Sequence, residues 1–166
     1  MVTELYEAGD PPWAEVHGQP CLKYATVSMA CLHVGPWIAA LIDGMCRTIN
    51  GSPLVDVRWW EHLEPGQIPG VPGWHYDTFN DATRGTQDVH RLYIAGAGCR
   101  TEFRGGYLAP EGTVIGYDHE DEHRISPATK PGPRLLVRVS LTTIRPANRV
   151  YAGAHIHPTL FGFHAR

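Results

Sequence analysis

The sequence predicts an all-β fold, a jelly roll with one N-terminal helix packed on its sheet. Three observations carry that prediction. After Pro53 apolar and polar residues alternate in short runs, the period of a half-buried strand. The 18 glycines and 14 prolines punctuate those runs, as tight turns between strands require. Only one stretch repeats apolar residues at helical spacing, and no strand–helix–strand alternation follows it.

Taken in order, residues 1–20 contain Asp10-Pro11-Pro12 and Gly18-Gln19-Pro20 and read as an irregular lead-in. Leu22 to Leu32 is β-rich, one strand or a short hairpin. Gly35-Pro36 opens the helix, with Trp37, Ile38, Leu41, Ile42, Met45 and Ile49 on one face and Pro36 at its first position. Asn50-Gly51 ends it. Strands follow at Leu54–Trp60, around His75 and Asp77, at Val89–Ala95, Cys99–Arg104, Thr113–Tyr117, His123–Ser126 and Arg134–Ile144, with an edge strand over Val150–Ile156. A Pro/Gly loop spans Glu64–Gly73 and a polar loop Asn80–Gln87. About eight strands after one helix fit a double-stranded β-helix, the cupin-type jelly roll. The 166 residues are expected to form a single domain, with its core over about 21–156 and a C-terminal tail.

Composition narrows the function. A net charge of −3 with no basic run gives no cationic face for nucleic acid. No apolar window of membrane-spanning length and no signal-peptide pattern is present, so a cytoplasmic protein is expected. Cys21, Cys31, Cys46 and Cys99 have no C-x-x-C spacing, which argues against a zinc knuckle or a disulfide framework. Histidine is the unusual count, 10 in all.

In Gly73-Trp74-His75-Tyr76-Asp77-Thr78-Phe79, His75 and Asp77 stand two apart, so on a strand both leave one face. His123, 46 residues on from Asp77, returns a third ligand from a distant strand. Two imidazoles and one carboxylate form the facial triad of non-haem Fe(II) sites, where positions stay open for substrate and O₂. Arg134 and Arg138 follow His123 by 11 and 15 residues, in an otherwise apolar strand. Four apart, they share a face, and buried guanidinium groups need anionic partners. A small dicarboxylate gripped bidentately would supply them.

With those motifs the chain resembles the Fe(II)/2-oxoglutarate-dependent dioxygenase superfamily, in the spacing of its taurine dioxygenase branch. The resemblance covers roughly Pro72 to Ser140. It implies that His75, Asp77 and His123 bind Fe(II), that Arg134 grips the 2-oxoglutarate C5 carboxylate with help from the Thr101 hydroxyl, and that Arg138 lies near substrate or co-substrate. It further implies O₂-dependent hydroxylation, desaturation or cyclisation of a small molecule, with release of succinate and CO₂. Asp77 disfavours halogenation, because halogenating relatives lack this carboxylate. The chain carries no long lid insertion between Asp77 and His123, so substrate coverage comes from elsewhere in the chain or from a partner, and a homodimer is one arrangement open to it.

Other readings stay open. His119 rivals His123 as the distal ligand, and the acidic run around them reads as a solvated turn. His155 and His157 mimic a metal pair with no third ligand. Trp59, Trp60 and Trp74 read as core, while Phe79, Arg84 and Arg104 are near enough in sequence to line a pocket mouth. His17, His33, His62, His90 and His164 read as ordinary surface or core histidines. A metal cupin enzyme that needs no 2-oxoglutarate, and a non-catalytic small-molecule-binding jelly roll, are the two alternatives in function.

Overall fold

The protein is described by a computed structural model covering residues 1–77 and 88–151. It is mainly antiparallel β. Among the described residues ten strands run in chain order: β1 (Thr3–Glu7), β2 (Cys21–Thr26), β3 (Leu54–Leu63), β4 (Val89–Ala95), β5 (Thr101–Phe103), β6 (Tyr107–Leu108), β7 (Thr113–Asp118), β8 (His123–Ile125), β9 (Gly132–Leu141) and β10 (Arg149–Tyr151). Three helices precede β3: α1 (Trp13–Val16), α2 (Val27–His33) and α3 (Pro36–Cys46). No helix among them is long and apolar enough to cross a membrane.

Seven strands form one sheet in the order β1-β7-β4-β9-β3-β2-β10, and three form a second in the order β6-β5-β8. His75 adds an antiparallel bridge to His123 at the β8 edge of the smaller sheet. Strand β9 lies inside the large sheet, with Val137 opposite Val57 on one side and opposite Tyr93 on the other. Both of its faces are covered, which is why Leu135-Leu136-Val137 reads as a continuous apolar run. Odd-numbered Leu135, Val137 and Val139 join Val55, Val57 and the α3 residues Ile38, Leu41, Ile42 and Met45 in one core. On the opposite face Leu92, Ile94, Ile115 and Tyr117 meet Phe103 of β5, so a second, smaller core fills the space between the sheets. The residues that carry chemistry project into that same inter-sheet space.

Helix α3 begins with Pro36 at its first turn, as its sequence requires. Three expectations are corrected. The lead-in is not wholly irregular, because β1 pairs with β7 and α1 buries Val16. Leu22–Leu32 is neither a single strand nor a hairpin. After Thr26 the chain turns into α2, whose Met29 N–H donates to the Thr26 hydroxyl, an N-cap that ends the strand. The segment with His75 and Asp77 is not a strand but a single bridge followed by a turn. The strand expected over Val150–Ile156 is present as β10 up to Tyr151; the remainder, the polar loop Asn80–Gln87, and Phe79, Arg84, His155, His157 and His164 lie outside the described residues.

Candidate metal centre

The centre starts from a reciprocal backbone pair. The His75 N–H donates to the His123 carbonyl and the His123 N–H to the His75 carbonyl, both at 2.9 Å. That pairing sets the two imidazoles side by side, with ring centroids 4.6 Å apart. Each ring is oriented from behind: His75 Nδ1 lies 2.8 Å from the Gly73 carbonyl and His123 Nδ1 lies 3.0 Å from the Asp121 carbonyl. A carbonyl only accepts, so Nδ1 carries the proton and Nε2 keeps its lone pair, the tautomer a metal ligand needs. The turn after His75 brings in Asp77, whose Oδ2 lies 3.4 Å from His123 Nε2. One donor atom from each of His75, Asp77 and His123 falls within 4.8 Å of the other two.

Asp77 is held by two further groups. Arg138 pairs with its Oδ1 and the Tyr117 phenol donates to its Oδ2. Burial alone would raise the Asp77 carboxyl, but Arg138 and then His123 outweigh it and keep it well below the usual carboxylate range. The Tyr117 phenol is pushed up, by burial and then by Asp77, so it stays a donor. Burial likewise lowers the His75 imidazole; it works against protonation of His123 too, but there the Asp77 charge prevails and the value rises. A permanent anion with two neutral-capable imidazoles is a donor set able to hold a divalent cation.

These residues open onto a cavity of about 260 Å³, lined among others by His75, Asp77, His123, Thr101, Tyr117 and Arg138. That size lies just below the range of roughly 300–1,000 Å³ common for small-molecule pockets. Thus five of the six expected site residues meet here, including Thr101, buried on β5. His119 is not in the cluster.

The two arginines of β9 behave differently. Arg138 stands directly opposite Asp56 of β3 in the register, and its Nε donates to Asp56 Oδ2 at 3.1 Å while its Nη2 pairs with the same oxygen. Two protein carboxylates, Asp56 and Asp77, therefore already supply anions to Arg138. Arg134 stands opposite Trp60 and is fully buried, its guanidinium 5.2 Å from the centre of the indole ring. No oxygen acceptor reaches its three nitrogens, the Cys99 thiol being the neighbour that does most to favour its charge, and it is not among the cavity-lining residues. It shares a strand face with Leu136 and Arg138, which are.

Three participants escaped the sequence reading. Asp56 in Leu54-Val55-Asp56-Val57 was detectable as an acid inside an apolar strand. Tyr117 and His90 gave no such signal. His90 is fully buried, bonds Ser140 Oγ through Nδ1 at 2.8 Å and stacks on Tyr117. Trp74 is not core as expected: the guanidinium groups of Arg104 and Arg124 lie 4.8 and 4.6 Å from its ring centre, and each is also paired with an acid, Glu122 and Glu102 respectively. No family model, curated protein or solved structure matches the chain.

Proposed function

We propose that the protein is a non-haem Fe(II)- and 2-oxoglutarate-dependent oxygenase built on a double-stranded β-helix. The strand order supports that fold: β7-β4-β9-β3 forms one wall, and β6-β5-β8 extended by His75 forms the other. His75, Asp77 and His123 would hold the iron. The observation that carries the co-substrate is Arg134, a buried guanidinium with no oxygen acceptor, on the strand face that also bears Arg138. A carboxylate is the group that would complete it bidentately, and Thr101 offers a hydroxyl in the adjoining cavity.

A bound Fe(II) would supply, with 2-oxoglutarate and O₂, the oxidation of an unactivated C–H bond, with succinate and CO₂ released. The chain's own part is positioning. The carbonyls of Gly73 and Asp121 fix the imidazoles, Arg138 and Tyr117 fix both oxygens of Asp77, and the inter-sheet core of Leu92, Ile94 and Phe103 excludes water from below. Anaerobic calorimetry on Fe(II)-loaded protein tests the reading. Saturable 2-oxoglutarate binding is expected, and its absence sinks the proposal. One observation favours a second reading, a metal enzyme of the same fold that uses no 2-oxoglutarate: Arg134 is not part of the cavity wall. Substrate oxidation without added 2-oxoglutarate would select it.

A further inference from the structure

Strand β3 carries an acid inside an apolar run, Val55-Asp56-Val57, and the acid is buried. A buried carboxylate persists only where its oxygens are bonded. Both oxygens of Asp56 are. Oδ1 accepts from the Tyr24 N–H at 2.8 Å, and Oδ2 receives Nε and Nη2 of Arg138. The first of these bonds depends on a β-bulge. The β2–β3 register shifts between Leu22 and Ala25, and Tyr24 takes a positive φ of 50°, which a bulky residue rarely adopts. The Tyr24 carbonyl accepts from the Ala147 and Asn148 amides at 3.0 and 3.2 Å. Bonds at both of its backbone groups hold the strained residue in place.

The consequence lies on the other side of Arg138. A guanidinium is a rigid planar fork of donors, and it grips a carboxylate best when both oxygens are engaged. Two carboxylates compete for this fork. Asp56 takes the Nε–Nη2 edge, and Nη1 alone pairs with Asp77, at Oδ1. Asp77 Oδ2 stays beside the imidazoles, 3.4 Å from His123 Nε2. The Tyr117 phenol also donates to Oδ2, and an ionised carboxylate oxygen has lone pairs for both a phenol and a metal. Without the Asp56 charge the Nε–Nη2 edge would be released from β3. The fork could then close on both oxygens of Asp77, and a metal would have to displace it.

Resting on the metal centre of the oxygenase reading, we infer that Asp56 is its positioning residue. By holding the Nε–Nη2 edge of Arg138, Asp56 keeps that arginine from gripping Asp77 bidentately and leaves Asp77 available to the cation. Asp56 is not among the cavity-lining residues and acts through Arg138. Its place is set twice over: the β3–β9 register puts it opposite Arg138, and the Tyr24 bulge fixes its carboxylate through Oδ1.

The test measures Zn(II) affinity of the full chain by competition with a chromophoric chelator, without 2-oxoglutarate. Asp56→Asn keeps an oxygen for the Tyr24 N–H and loses the charge that holds the fork. Its Zn(II) dissociation constant is expected to rise about tenfold or more, the usual cost of losing a partner behind a metal ligand. Arg138→Lys keeps the positive charge and removes the fork. In that background Asp56→Asn should cost less than about threefold, the coupling that a double-mutant cycle isolates. An equal cost in both backgrounds means that Asp56 acts by charge alone and overturns the inference, as does unchanged affinity in Asp56→Asn. Amide spectra of the ¹⁵N-labelled variants report that each is folded. A second readout uses the wild type. The Arg138 Nε–H signal, assigned by its loss in Arg138→Lys, should stay protected from solvent exchange when Zn(II) binds, because that proton remains on Asp56. Loss of protection on metal loading overturns the inference. Wild-type protein that takes up no Zn(II) removes the metal centre and this inference with it. Zn(II)-loaded protein that binds no 2-oxoglutarate removes the oxygenase reading and leaves the role of Asp56 standing.

Discussion

Arg134 is fully buried, and no nitrogen of its guanidinium finds an oxygen acceptor, only the Cys99 thiol favouring its charge at close range. A buried charge without a partner is costly, and replacing such a group by an apolar residue of similar volume is often neutral or stabilising by about 1–4 kcal/mol. Arg134→Met is therefore expected to raise stability to urea while abolishing 2-oxoglutarate binding by calorimetry. A variant that is destabilised and still binds would show that the guanidinium has a structural task instead. His90 makes the corresponding pH prediction. Burial pushes its imidazole down to about 4. The unfolded chain then takes up the proton first as pH falls. The stabilisation from neutral His90 is complete above about pH 6.5 and declines towards pH 4, by on the order of 3 kcal/mol. His123, raised in the folded state, works with the opposite sign. The contribution of His90 is thus read as the difference between the pH–stability curves of wild type and His90→Asn, and parallel curves would refute it.

At the scale of elements, the strands were legible where one rule dominated. Alternation marked β4 from Val89 to Ala95, and the apolar run marked β9, because a strand covered on both faces leaves few places for polar residues. The stripe from Ile38 to Met45 with Pro36 ahead of it marked α3. Reading failed at β2, where local β propensity gave way to a Thr26 cap and α2, and at β1, which exists only because β7 offers it an edge. The turn between β4 and β5 carries the tightest backbone constraint. Gly96 has a φ of +89°, and a Cβ there would lie 2.0 Å from the Pro133 carbonyl oxygen at the start of β9. Gly96→Ala should destabilise by roughly 2–4 kcal/mol in chemical denaturation, since neither backbone segment can give way without moving its strand. Full stability in that variant would mean that the turn is free to rearrange.

For the whole molecule, the two sheets and the bridge between His75 and His123 form one unit, so a ligand that ties the bridge to Asp77 also ties chain segments far apart in sequence. A divalent metal bound to the folded state alone stabilises by mass action, by about 2.7 kcal/mol at one hundred times its dissociation constant. Co(II) or Mn(II) is expected to raise the thermal midpoint of the wild type by several degrees, and of His75→Ala far less. Equal shifts in both proteins would move the metal to another site. The sequence by itself determined the mainly β class, helix α3, the long strand β9 and the residue types of the cluster, because burial of alternate or successive apolar side chains is a local rule of composition. Tertiary structure alone decided which charges meet. The β3–β9 register put Asp56 on Arg138 and Trp60 on Arg134, a turn rather than a strand brought Asp77 to His123, and the Tyr24 bulge swung Lys23 into the cavity. Register and bulges depend on pairing between distant segments, and a one-residue slip would turn the strand-borne side chains among them to the opposite face.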